Sequence, residues 1–579
     1  MVNLTIDNRA IAVDEATSIL AAARMLGITI PTLCYLPNIN EIGACRVCVV
    51  EVEGAERLQA ACHTDVAEGM VVHTNSKRVH AARKANVELL LSNHNCNCTT
   101  CVRSGNCALQ TVANDLNILD VPYESQVKRN AWDAASPLIR DASKCIQCMR
   151  CISVCDKVQS LGIWDLRGMG TRTTVDVAEG KTLDSVSCAL CGQCITHCPV
   201  GALRERDDTD QLLQAIHNPN KVVLVQIAPA VRTAWGEGLG LSQEIATVGR
   251  MVAAAKELGI DYVFDTNFTA DLTIMEEGSE LLERVSHADL HVWPMFTSCC
   301  PGWLRFVSTQ YPELLPNLST AKSPQQMFGA VAKTYFAETM HIDPSNIVSV
   351  SVMPCLAKKD EASWPTMNDA GYGQDVDIVL TSREFARMLR SHHVNVPALQ
   401  ELPFDNPLGI STGAAVIFGA TGGVMEAALR SAHFLATGTN PSPENYASVR
   451  GSEGWREVTV QINTLTVRAA IANGLGNARA LIEAIRRGKA QYDFVEIMAC
   501  PGGCVGGGGQ PIVEGCEMAC ERAPMLYHLD SVANLRFSHE NPAVQQAYRD
   551  FFTAPLSHKS HELLHTDHAA NKPAHITHN

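Results

Sequence analysis

The placement of 23 cysteines constrains this 579-residue chain more than any other feature. They fall in blocks: 34 to 62, 96 to 107, 145 to 155, 188 to 198, and, after about a hundred cysteine-free residues, 299 to 520. A chain of this length has room for about four domains, and 46% hydrophobic residues suffice for packed cores. Disulfides are therefore not needed for stability, and metal ligation or redox chemistry is the better use for so many thiols. The net charge of −15, from 61 acidic and 46 basic residues, disfavours nucleic acid or an anionic membrane as the main partner. No run of 18 apolar residues offers a spanning helix. The segment Met1 to Val13 alternates like an edge strand and lacks the regions of a signal peptide, so the expected location is the cytoplasm.

The first block, Cys34-x10-Cys45-x2-Cys48-x13-Cys62, lies among short strands (Asn3 to Ile6, Val47 to Val52, Met70 to Val72) and one helix, Ala16 to Leu26. Four thiolates in a small loop-rich domain suit a 2Fe-2S cluster, with a structural zinc as the alternative. The spacing departs from the plant ferredoxin pattern. It resembles the ferredoxin-type N-terminal domain of large hydrogenases and respiratory dehydrogenase subunits. The second block, His94-x3-Cys98-x2-Cys101-x5-Cys107, follows an apolar helix ending near Leu91. An imidazole in place of one thiolate lowers the charge on a cluster and shifts its potential. The block resembles the 4Fe-4S domain of the same two families, held there by one histidine and three cysteines; Cys96 competes with His94 for that place. The third and fourth blocks repeat the two-cluster ferredoxin run: Cys145, Cys148, Cys151, Cys155, then Cys188, Cys191, Cys194, Cys198 before Pro199. In that pattern the fourth cysteine crosses over, so Cys145, Cys148, Cys151 and Cys198 hold one cube, and Cys188, Cys191, Cys194 and Cys155 the other. Such a row of accessory clusters makes sense as an electron wire.

From about Gln211 the chain alternates apolar strands with amphipathic helices, which argues for α/β layers. The expected strands are Lys221 to Ile227, Asp261 to Asp265, Ile347 to Met353, Val376 to Leu380 and Asp493 to Met498, with helices such as Gln243 to Leu258 and Asn477 to Arg487 between them. Cys355 and Cys500 each follow a strand by two residues, and Cys299 and Cys300 follow the extended segment His291 to Phe296. Ligands at carboxyl ends of strands converge on the crevice of an α/β sheet, so Cys300, Cys355, Cys500 and Cys504 can gather around one cluster.

Three motifs here carry a family resemblance. Thr297-Ser298-Cys299-Cys300-Pro301-Gly302-Trp303, Met353-Pro354-Cys355-Leu356-Ala357-Lys358-Lys359-Asp360-Glu361, and Glu496-Ile497-Met498-Ala499-Cys500-Pro501-Gly502-Gly503-Cys504 with its following glycines resemble, in order, the signatures of FeFe-hydrogenases. The resemblance covers roughly residues 1 to 556 and is to the large clostridial-type form. It implies a multidomain α+β and α/β protein. Its parts would be a β-grasp ferredoxin-like 2Fe-2S domain (1–78), a His/Cys3 4Fe-4S domain (79–125), a two-cluster domain (126–209), and an α/β catalytic domain (210–556). Besides one 2Fe-2S and three accessory 4Fe-4S clusters, it implies the H-cluster. This is a 4Fe-4S cube on Cys300, Cys355, Cys500 and Cys504, bridged by Cys504 to a di-iron unit with carbon monoxide, cyanide and an amine dithiolate. The implied activity is reversible H2 production, with ferredoxin or flavodoxin as carrier and di-iron maturation proteins as partners.

The residue types suit a dry pocket for diatomic ligands. Lys358 offers a charge-assisted donor, Gln325 and the backbone after Pro229 neutral ones, and Met353, Met498 and Phe418 a soft apolar wall. Ala230 stands where many relatives have serine. The glycines from Gly502 to Gly509 allow close backbone approach; no Gly-Lys-Ser/Thr makes them a P-loop. Cys299 is spare as a ligand and suits proton exchange. Behind it Glu277, Glu280 and Arg284 share one face of an expected helix, Asp271 to Val285, and the resemblance puts Ser319 between the acids; an ordinary solvated helix face is the bland alternative.

Cys516 and Cys520, at i, i+4 of an expected helix, read as packed thiols rather than a redox pair. The stretch 557–579 is rich in histidine and polar residues and reads as a disordered tail. A subunit of a complex feeding an NAD(P)-binding flavoprotein is the rival within enzymes. This chain has no Gly-x-Gly-x-x-Gly after a strand, so the nucleotide would bind another chain. A hydrogen sensor or an iron–sulfur assembly protein are rivals of other classes.

Overall fold

The computed structural model describes every residue except 126, 128–130, 464, 515 and 572–579. The expected boundary at 126 and the end of the histidine-rich stretch thus lie outside the described residues.

The N-terminal unit is a five-stranded sheet in the order Arg9–Val13, Val2–Ile6, Met70–His73, Val49–Val52, Gln59–Ala60. Val2–Ile6 pairs parallel with the strand at 70–73 and antiparallel with 9–13. The single edge strand expected over residues 1–13 is therefore a hairpin, turned by Asp7 and Asn8 at φ 43° and 65°, and its first arm is interior. The Ile19–Met25 helix, capped by Ser18, packs Ile19, Leu20, Ala22 and Ala23 on this sheet.

The two-cluster region is tied by an antiparallel pair, Leu138–Arg140 with Leu203–Glu205. Its repeat is visible in the backbone. Gln147 and Met149 flank Cys148 at φ 54° and 63°, and Leu190 and Gly192 flank Cys191 at φ 50° and 73°. Left-handed residues at matched positions turn amide N–H groups inward; the N–H of Gln147 donates to Cys145 Sγ, and that of Leu190 to Cys188 Sγ, each at 3.4 Å.

Among the described residues the large C-terminal unit holds eight strands: β1 (Val222–Ile227), β2 (Tyr262–Asp265), β3 (Met295–Phe296), β4 (Ile347–Met353), β5 (Ile378–Thr381), β6 (Trp455–Ile462), β7 (Leu465–Asn473) and β8 (Phe494–Met498). They form two sheets, β2-β1-β4-β5, all parallel, and β3-β8-β7-β6, antiparallel only between β7 and β6. The central strands β1, β4 and β8 are buried along nearly their whole length and mostly apolar, because both faces are covered. The β6–β7 hairpin was not expected. The stretch from 557 onward, expected to be disordered, instead forms the helix His558–Leu564, and its Leu563 and Leu564 are buried beside Met327 and Phe328.

Candidate functional site: thiols at converging strand ends

Several of the amino-terminal cysteines are brought together in space. Cys34, Cys45, Cys48 and Cys62 are all buried, with Cys34 neighbouring Cys45 and Cys62, and Cys48 neighbouring Cys62. Arg83, itself buried, donates to the Val49 carbonyl behind them (2.8 Å). His94, four residues before Cys98, is buried near Lys144 and Asp141, and its Nδ1 has no hydrogen-bond partner. A buried imidazole nitrogen left without a partner is compatible with a ligand role. Cys96 is exposed, turns its thiol to the carbonyls of His94 (3.4 Å) and Leu91 (3.8 Å), and lies near Cys98 and Cys107. Cys145, Cys148, Cys151 and Cys198 line one cavity, and Cys155 lies with Cys188, Cys191 and Cys194. Among the described residues no three Cys, His, Asp or Glu side chains close around a single metal-ion position.

Contacts not foreseen from sequence join these groups. The buried Asn40 amide donates to the Cys34 carbonyl (2.7 Å) and to the Cys148 carbonyl (3.0 Å), and Ser153 Oγ fixes its oxygen (2.7 Å). Cys101 Sγ packs on Gly201, where a Cβ would stand 2.6 Å away. At the other end Cys500 Sγ approaches the Cys191 carbonyl (3.9 Å), Gln193 donates to the Gly506 carbonyl (2.9 Å), and Arg305 Nε donates to the Cys188 carbonyl (2.9 Å).

In the large unit the carboxyl ends of β1, β4 and β8, with the turn after β3, surround one almost wholly apolar cavity. Its lining includes Pro229, Ala230, Cys299, Cys300, Gln325, Met353, Cys355, Lys358, Phe418, Met498, Cys500 and Cys504. All these residues were singled out from sequence. Cys300 caps the helix Pro301–Gln310, whose N-terminal dipole favours a thiolate, and the Ala499 N–H donates to its sulfur (3.4 Å). Burial, then the neighbouring Cys300, pushes Cys355 up to about 12. Four thiols cannot all ionise in such a place unless a cation offsets them, so the donor set fits an iron cluster. Gly507 makes the floor: a Cβ there would stand 2.1 Å from the Pro354 carbonyl.

Lys358 and Gln325 are aimed by a residue that sequence reasoning passed over. Buried Glu361 accepts from Lys358 Nζ (2.8 Å), Gln325 Nε2 (3.1 Å) and Ser323 Oγ (3.0 Å). Lys358 Nζ also donates to the Cys299 carbonyl (3.2 Å), and Ser351 donates to Gln325 Oε1 (2.8 Å). Glu361 stands inside the second motif; its spacing of three from Lys358 on one helix was the available signal.

The acid series lies on the helix Asn267–Ser286, longer than expected and mostly buried. Glu277 is fully buried, Glu280 and Arg284 nearly so; the solvated-face alternative does not hold. Ser319 Oγ donates to Glu280 Oε2 (2.7 Å), and Arg284 to Glu280 Oε1 (2.6 Å) and to the Leu318 carbonyl (2.7 Å). Both Glu277 oxygens lack a hydrogen-bond partner. Burial, then the charge of Glu280, pushes Glu277 up to about 8, weakly opposed by the nearby Ser298 N–H and Ser319 hydroxyl. Burial and then Glu277 hold the Cys299 thiol well above its ordinary value, so it stands there protonated. Cys516 and Cys520 do not share a packed helix: the helix begins at Ala519, and both thiols are exposed.

A parallel-stranded crevice ringed by thiols, behind three iron–sulfur modules, defines an iron–sulfur oxidoreductase. Residues 221–508 match the model for the iron only hydrogenase large subunit, C-terminal domain, and 516–571 that for the iron hydrogenase small subunit. Residues 1–77 match a 2Fe-2S iron-sulfur cluster binding domain, 83–122 the NADH-ubiquinone oxidoreductase-G iron-sulfur binding region, and 144–202 a 4Fe-4S dicluster domain. The chain is 47% identical to the NADP-reducing hydrogenase subunit HndD of Solidesulfovibrio fructosivorans, over 98% of each chain. It is 40% identical to iron hydrogenase 1 of Clostridium pasteurianum, over 95% of this chain and 97% of that one. Among solved structures, an apo variant of the [FeFe]-hydrogenase HydA1 from Chlamydomonas reinhardtii aligns with 42% identity and a TM-score of 0.57, covering 63% of this chain and all of that one. The chain belongs to the FeFe (iron-only) hydrogenase family.

Proposed function

We propose that this iron hydrogenase interconverts H2 with two protons and two electrons at an organometallic iron centre held by Cys300, Cys355, Cys500 and Cys504, and exchanges the electrons through its accessory clusters. The observation that carries this is the convergence of those four thiols and Cys299 on one dry cavity, with the last accessory group against Cys500. Cys300, Cys355, Cys500 and Cys504 would hold the cluster, which when bound would supply the hydrogen chemistry through irons carrying carbon monoxide, cyanide and an amine dithiolate. The protein does the rest. Lys358 and Gln325, aimed by Glu361, orient the polar ends of the group, while Met353, Phe418 and Met498 exclude water. Cys299 exchanges a proton at the cavity wall. Glu277, near both Cys299 and the Ser319 hydroxyl, takes it next, and Ser319 and Glu280 carry it outward, with Arg284 holding Glu280 at the outer end. A general acid must hold a proton near neutral pH to serve this way, and burial gives Glu277 that property.

For the electrons, ferredoxin or flavodoxin suits the clusters of the N-terminal units, and Asn40 and Gly201 give two entrances to the cube on Cys145, Cys148, Cys151 and Cys198. A second reading, favoured by the likeness to an NADP-reducing hydrogenase subunit, has a separate flavin- and nucleotide-binding chain at one of these entrances. No described helix is long and apolar enough to cross a membrane, and a cytoplasmic site, with access to di-iron maturation proteins, is part of the proposal. The test is H2 evolution from reduced viologen after co-expression with and without those maturation proteins. Turnover that depends on maturation is expected. Matured protein with reducible accessory clusters and no turnover would leave only an electron carrier or an assembly protein. Copurification of a flavin-containing chain would select the second reading over ferredoxin alone.

A further inference from the structure

The histidine-rich segment at the C-terminal end closes over the outer end of the acid series. The Lys322 N–H donates to the Leu564 carbonyl and the Thr566 N–H to the Thr320 carbonyl, each at 2.8 Å, so residues 564–566 run as an added edge along 320–322. The other side of that inner segment is bound to the turn carrying Cys299: Ser319 N–H donates to the Phe296 carbonyl (2.8 Å) and Ser298 Oγ to the Ala321 carbonyl (2.6 Å). The Ser319–Thr320 turn is thus sandwiched, and it supplies Glu280 with two donors to Oε2, the Ser319 hydroxyl at 2.7 Å and the Thr320 N–H at 3.1 Å.

Two buried histidines hold this turn from outside. His565 Nδ1 lies 2.8 Å from Thr320 Oγ1, and its Nε2 lies 3.1 Å from Glu276 Oε2. Glu276 is fully buried and also accepts from the Tyr548 hydroxyl (2.6 Å) and the Leu556 N–H (2.8 Å). As an acceptor it takes the His565 Nε2 proton, which leaves Nδ1 to accept from the Thr320 hydroxyl. His568 Nε2 lies 2.9 Å from the Ser319 carbonyl, and its Nδ1 is buried with no partner. Outside them is a cavity of about 670 Å³, walled by Arg284, Thr320, His561, Glu562, His565 and Asp567 among others. A strap needed only for stability would be served by the backbone pairing and by Leu563 and Leu564. It would not require two imidazoles on the turn that addresses Glu280.

We propose that this segment completes the proton path: His565 and His568 are positioning residues that hold Ser319 and Thr320 against Glu280, and the cavity before them is the mouth at which protons enter from solvent. The proposal rests on the relay reading of Glu277, Glu280 and Arg284, and the test separates the two. Matured Glu280→Gln, His565→Ala, His565→Asn, His568→Ala and Thr320→Val enzymes would be compared for iron content, carbon monoxide and cyanide infrared bands, H2 turnover, viologen KM and solvent deuterium isotope effect. Proton-transfer partners displaced by about an ångström lose activity steeply. His565→Ala, His568→Ala and Thr320→Val should therefore each lower turnover about tenfold, with iron, infrared bands and KM unchanged and a larger isotope effect. His565→Asn keeps an acceptor for the Thr320 hydroxyl and should restore most of the rate. If His565→Ala fails to fold, Thr320→Val, which is nearly isosteric, decides. Wild-type turnover in the histidine and Thr320 variants beside an inactive Glu280→Gln would overturn the proposal and leave the relay standing. So would losses that merely follow lost iron with an unchanged isotope effect, or an Asn variant as slow as Ala. An active Glu280→Gln would remove the relay and this proposal together.

Discussion

Glu277 concentrates the chemistry at the residue scale, a carboxyl group without solvent or partner, raised to about 8 from an ordinary 4.5. Its folded-state value lies above its unfolded one, so its contribution to stability is fully present below about 4.5 and is lost as pH rises through about 8. Glu277→Gln carries no such dependence. Its apparent unfolding temperature should gain on the wild type across that window, while H2 turnover falls by about a hundredfold or more; parallel melting curves at all pH values would contradict the shift. Cys299→Ala is expected to keep all its iron and nearly lose turnover, measured by iron analysis and a viologen assay. The grouping of the cysteines was legible because their spacing is a local property: a cube held by a short run needs thiols two or three residues apart. Asn40, Thr320 and His565 were not, since each matters only through a partner brought near by folding, whereas Glu361 showed only its spacing of three from Lys358. Nothing in residues 30–50 announces that Asn40 will meet the Cys148 carbonyl.

Elements divide on the same physical line. The strand at 347–353 was read to the residue, and β1, β2 and β8 within one residue, because strands buried on both faces are mostly apolar runs, interrupted only by single polar residues such as Gln226, Ser349, Ser351 and Glu496. The β6–β7 hairpin was missed: β6 alternates exposed and part-buried positions and offers no such run. The segment after residue 557 misled for the opposite reason. Polar residues read as solvated, yet His565 and His568 are buried with their hydrogen bonds made to the turn at 319–320. The loop from Gly502 to Gly509 was legible in its chemistry, and its packing shows how tightly it is constrained. Gly507→Ala would drive a Cβ to 2.1 Å from the Pro354 carbonyl; Pro354 adjoins Cys355. That variant should lose turnover about a hundredfold and lose catalytic-site iron selectively, with electron paramagnetic resonance of the accessory clusters retained. A normal iron complement and rate would show that the loop has slack that this packing denies.

Across the whole molecule the order of modules was plain from the cysteine blocks, whereas their junctions were not. The contacts at Asn40 and Gly201 join the two amino-terminal cysteine groups to the one with Cys148 and Cys198, and the contact at Cys191 joins the neighbouring group to the large crevice. Asn40→Leu should preserve every cluster and the rate with a viologen that reaches the inner clusters. It should slow turnover severalfold with a protein carrier that enters through the 2Fe-2S unit. An unchanged carrier-dependent rate would assign entry to the His94 side instead.

The account depends on Cys300, Cys355, Cys500 and Cys504 closing over one cube that anchors a second, organometallic pair of irons. The infrared spectrum of the matured protein, taken where metal-bound carbon monoxide and cyanide vibrate and protein groups are silent, addresses this directly. Intrinsic bands in that region, lost in Cys504→Ser while accessory iron remains, are the predicted result. Full accessory iron with no such bands in the matured wild type would contradict it.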